Sequence, residues 1–149
     1  MSMNALTRFR AAVAAILVLL LLQFAAGMVT NLYVHFPESL PGGEAWTWSF
    51  AHSTLVEIHV VLGTLLLIAS LVTIELGLWV GMRSANVTAV AGALLVAGAY
   101  LCGMWFLTYG QSDISSLCMA LGFMGALAVY AVGFYVTRPE AGSDRSGRA

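Results

Sequence analysis

Residues 49–63 read SFAHSTLVEIHVVLG: His52, Glu57 and His59 stand at the mouth of an uninterrupted apolar run. Imidazole ligates metals and carries protons near neutral pH, and a carboxylate beside it can orient the ring or pass a proton. Other reactive side chains gather in comparable places. His35 closes the first apolar run, with Met28 seven residues before it on the same helical face. Cys102, Met104 and Trp105 lie late in the third run, and Cys118, Met119 and Met124 early in the fourth. Imidazoles suit haem iron and copper, whereas thiols and thioethers select soft ions such as Cu(I).

These residues ride on hydrocarbon. The chain has 149 residues, 60% hydrophobic and 9% charged, against about 25% charged in a soluble domain. Four apolar runs, residues 11–34, 50–80, 87–109 and 114–137, each reach the ~20 residues that a bilayer crossing requires. Little is left for a separate soluble domain. The expected fold class is all-α, a four-transmembrane-helix antiparallel bundle spanning residues 11–137, with a short terminus at 1–10 and a disordered polar tail at 138–149. The first run resembles a secretory leader at its start. It continues apolar through Met28, Val29 and Leu32, longer than a leader's core, and reads as a span.

Charge sets the expected orientation. Lysine is absent, and Arg8, Arg10, Arg83, Arg138, Arg145 and Arg148 all fall at the two ends or between spans two and three. The loops at 35–49 and 110–113 carry no arginine and are expected outside, with both termini in the cytoplasm. The histidines, the cysteines and four of the seven methionines then collect in the outer leaflet. In the first outer loop, Trp46, Trp48 and Phe50 read as an interfacial anchor or as a cap over a site beneath.

Span two shows one legible face at 100° per residue: His52, His59, Gly63, Ser70 and Gly77 share it. Small residues on such a stripe bring helices close, so this face is expected to turn inward. His59 then reads either as a packing histidine or as an axial haem ligand, with Gly63 one turn away giving clearance for the macrocycle. His35, His52, Met28, Met104 or Met119 are candidates around the same site. Glu57 lies on another face and is the candidate proton-handling group, expected at helix depth without an exit to water. The glycines of spans three and four imply close helix packing. Cys102 and Cys118 sit at similar expected depths on adjacent helices, where they are two small apolar residues, a disulfide, or soft copper ligands with methionine and histidine.

Gln23 and Gly27, the loop around Pro37 and Pro41, and VEIHVVLGTLLL with Glu57 and His59 together resemble one four-helix half of the haem A synthase family. The resemblance covers roughly the first half of the chain. It implies a haem-sized cleft near His59; haem b is the expected cofactor and a bacterial plasma membrane the expected location. Two departures stand against oxygenation of a haem methyl group: a single residue separates Glu57 from His59, and the last two spans contain no histidine.

Three functions follow as expectations. The first is a small b-haem-binding or redox-accessory protein. The second is a non-catalytic partner subunit or assembly factor of a larger membrane complex or homo-oligomer. The third is an outer-leaflet copper or thiol site. The bilayer is the expected environment, nucleic acid is not an expected partner, and transport is disfavoured by the short chain.

Overall fold

The computed structural model describes residues 3–37, 40 and 43–138. The tail, apart from Arg138, and Pro41 and Gly42 of the first outer loop lie outside the described residues. Five helices and no strand are present among them: α1 (Met3–Tyr33), α2 (Glu44–His52), α3 (Thr54–Val80), α4 (Arg83–Tyr109) and α5 (Asp113–Val136). α1, α3, α4 and α5 are long and apolar enough to cross a membrane, and the chain is an integral membrane protein built as a four-helix bundle. The α4–α5 interface is the most extensive, followed by α1–α3 and α3–α4, and α1 meets α5 to close the ring.

α1 begins well before the apolar run because its inward stripe does. Phe9, Val13, Ile16 and Leu20 recur at three- and four-residue spacing and are fully buried. Arg10 is tied into the fold, donating to the Phe134 carbonyl with its guanidinium 4.1 Å from the centre of the Phe134 ring. Residues 3–10 therefore belong to the bundle, where the sequence suggested a separate terminus.

The expected second span is divided. Ser53 has extended backbone (φ −142°, ψ 93°) and caps α3, its hydroxyl accepting from the Val56 N–H. A serine followed by an acidic residue in the first turn is a start signal, because the side chain satisfies an orphan amide and the carboxylate meets the positive helix end. His52 thus ends α2 and does not continue the His59 face.

Small residues fix the close approaches. A Cβ on Gly77 would lie 3.3 Å from both the Ala85 carbonyl and the Ala89 methyl. The Tyr130 ring occupies the space over Gly92, and Thr88 the space over Gly133. Gly81 (φ 70°) and Gly110 (φ 115°) take left-handed backbone in the two tight turns. Ser112 caps α5 through the Ser115 N–H. The expected α4–α5 hairpin and the inward placement of Ser70 and Gly77 are both observed.

Across the α2 end, the short helix acts as a cap. Trp46 donates its indole N–H to the Thr108 hydroxyl at 3.1 Å, and Phe36 packs between Trp48 and Phe106, with centroid separations of 5.2 and 5.9 Å. Trp46 and Trp48 thus pack onto the end of the bundle.

Candidate functional site

The candidate residues separate into three groups, all in the half of the bundle nearer α2. The first is a polar pair between α1 and α3. The Gln23 amide N–H donates to His59 Nε2 at 3.2 Å, which places the ring proton on Nδ1. Both Nδ1 of His59 and Oε1 of Gln23 are buried without a hydrogen-bond partner. Two glycines make the pair possible. A Cβ on Gly27 would come 2.9 Å from His59 Cε1, and one on Gly63 would come 3.1 Å from Gln23 Nε2. Beside Gly63, the Tyr100 hydroxyl lies 3.3 Å from Thr64 Oγ1, so α4 joins the same polar layer.

This arrangement answers the haem expectation at His59. The clearance assigned to Gly63 is filled by the Gln23 amide, the ring of His59 is seated on Gly27, and Nε2 is already engaged. As packed, these residues do not fit a macrocycle. Glu57 stands apart: it is exposed in the first turn of α3, which starts at Thr54. Met28 is 44% exposed on the outer face of α1 and takes no part in the pair.

The second group is sulfur. α4 and α5 run antiparallel with Gly125 against Leu95, Gly122 against Ala99 and Gly103 against Met119. Cys102 and Cys118 fall opposite each other in this register. Both are free cysteines. The helices approach closely here because Gly122, one turn from Cys118, rests on α4 backbone: a Cβ there would be 3.1 Å from the Leu95 carbonyl. Met119 directs its Sδ at Gly103, where a Cβ would lie within 3.2 Å. Two cysteines and a methionine therefore lie at neighbouring positions of one helix–helix seam, about 8–10 Å below the helix ends at 1.5 Å per residue. Met104 is turned away and exposed, and no histidine approaches.

The third group lies at the rim. Tyr33, Val34, His35, Trp48, His52, Ser53, Thr54 and Leu55 line a cleft of about 460 Å³ between the end of α1, α2 and the start of α3. His52 stacks on Trp48 with centroids 5.5 Å apart, and its Nδ1 donates to the Trp48 carbonyl at 3.0 Å. His35 and His52 share this cleft and are separate from His59.

Among the described residues, no group of three or more His, Cys, Asp or Glu side chains is placed to hold a metal ion. Sequence reasoning missed Thr64 and Tyr100, whose only signal is a hydroxyl in an apolar run, and placed Gln23 only through the family resemblance. Compared with known proteins, the chain matches no family model, no curated protein and no solved structure.

Proposed function

We propose that this membrane protein handles copper, holding one Cu(I) ion between α4 and α5 on Cys102, Cys118 and Met119. The observation that supports the reading is the α4–α5 register, which sets Cys102 opposite Cys118 and Met119 Sδ over Gly103. Soft thiolate and thioether donors select Cu(I). Zinc would require a full tetrahedral set, which the described residues do not offer here. Binding would release thiol protons, and the neighbouring apolar side chains would keep competing water away. By the placement of the arginines, this half of the bundle faces outward.

The test is an anaerobic Cu(I) titration of the purified chain in detergent, in competition with a chromophoric Cu(I) chelator. One equivalent is expected in the wild type. Binding is lost in Cys102→Ser and in Cys118→Ser and weakened roughly tenfold, about 1.4 kcal/mol, in Met119→Leu. Met104→Leu and Met28→Leu leave it unchanged. Retention of Cu(I) by the double cysteine variant, or no binding by a wild type with both thiols free, overturns the reading.

A further inference from the structure

The rim cleft has a donor set of its own. A carbonyl oxygen only accepts, so the contact from His52 to the Trp48 carbonyl fixes the ring proton on Nδ1 and leaves a lone pair on Nε2. Metal-ligating histidines are held in this way, with the second ring nitrogen donating to a carbonyl or carboxylate so that tautomer and ring orientation are set in advance. Stacking on Trp48 adds a second restraint on the ring. The break at Ser53 turns His52 out of the α3 face and into the cleft, where His35 arrives from the chain that leaves α1.

We infer that His35 and His52 form an imidazole site for a divalent transition-metal ion at the rim, with Cu(II) bound most strongly. Nitrogen donors in an open, solvated cleft suit the cupric ion, which stands at the top of the affinity order for divalent first-row metals. Among the described residues, the other cleft walls bring no carboxylate or thiol, so water completes the coordination. This site shares no residue with the sulfur site.

The experiment uses the full chain in detergent with Cys102→Ser and Cys118→Ser in place, so that added Cu(II) sulfate meets no thiol and failure of the sulfur site leaves the result unaffected. Electron paramagnetic resonance at one equivalent of Cu(II) is expected to show superhyperfine coupling from two imidazole nitrogens. His35→Ala and His52→Ala should each reduce this to one, and the double variant should abolish it, with helicity unchanged because both side chains are exposed. Bound Cu(II) should also quench the fluorescence of Trp48, and Trp48→Phe should remove the quenched component. A wild-type pattern surviving in the double histidine variant, or coupling to fewer than two nitrogens before any histidine is changed, overturns the inference.

Discussion

From Phe9 to Leu20 the inward stripe of α1 is fully closed, whereas from Leu21 to Tyr33 not one side chain of the same helix is buried. The other long helices repeat the contrast. Ala85, Ala89, Ala126 and Tyr130 close the half nearer the termini. Nearer α2, Val56, Leu107 and Ser115 are the buried residues outside the capping helix, among those described. One half is held by interlocked apolar surface and small residues, the interaction that drives helix association where lipid offers no hydrophobic contrast. The other keeps its imidazoles, thiols and thioether, and its helices meet through polar pairs and a cap. Stability and chemistry are thus assigned to opposite ends of the same helices.

The comparison breaks most visibly if its two halves respond alike to loss of a ring. Phe9 is fully buried, so Phe9→Ala should cost about 3–5 kcal/mol through the cavity it leaves. Phe24 is 51% exposed and stacks on Phe123 with centroids 5.4 Å apart, and Phe24→Ala should cost about 1 kcal/mol. Reversible unfolding in mixed micelles measures both. Equal costs would mean that the half near α2 is packed as firmly as the other.

Within that looser half, the α4–α5 seam is the exception. Gly122→Leu should force the helices apart, because even a Cβ at that position would meet the Ala99 methyl at 2.9 Å. The expected cost is about 3 kcal/mol, with loss of Cu(I) binding since the seam is opened. Gly98→Leu is the matched control: nothing lies within 4 Å of a Cβ there, and both stability and binding should be retained. Failure of Cu(I) binding in the control as well would place the ion elsewhere.

Much of this division was legible in the residues themselves. Length, apolar runs and glycine spacing gave four helices and the α4–α5 hairpin, because in lipid every backbone group must be satisfied within a span and only helices do so here. The collection of His, Cys and Met toward one end was also readable. Which of them meet was not. Periodicity alone carried His52 along the His59 face, since an apolar count does not register the single extended residue at Ser53. Gln23 illustrates a different limit: its partner is 36 positions away, and no local pattern announces that a glutamine amide will fill the gap beside Gly63. Cys102 and Cys118 were matched in depth from the hairpin, but the close approach of their helices at Gly122 was not legible.

The Gln23–His59 pair sharpens the contrast by a smaller amount. One bond joins the two, while one atom on each stays buried without a partner, so the pair is half satisfied and specifies register more than it stabilises. His59→Leu alone should cost about 2 kcal/mol, because it strands the Gln23 amide. The double variant Gln23→Leu/His59→Leu should recover most of that loss. A double variant less stable than the single one would show that the pair contributes net stability through a bound group or water that joins its free atoms.

The least costly change addresses the junction that separates the two histidine sites. Ser53→Ala removes the hydroxyl that accepts from the Val56 N–H, and loss of such a cap costs about 1 kcal/mol. The bulk of α3 should be unaffected, since Leu66, Ser70, Thr73 and Gly77 remain buried against its neighbours. What should respond is the first turn, including Glu57, which sits where the helix dipole favours a negative charge. Amide exchange at residues 54–57 should accelerate while exchange around Thr73 does not. If both regions accelerate together, α2 and α3 unfold as one continuous element, and His52 must be returned to the helix that carries His59.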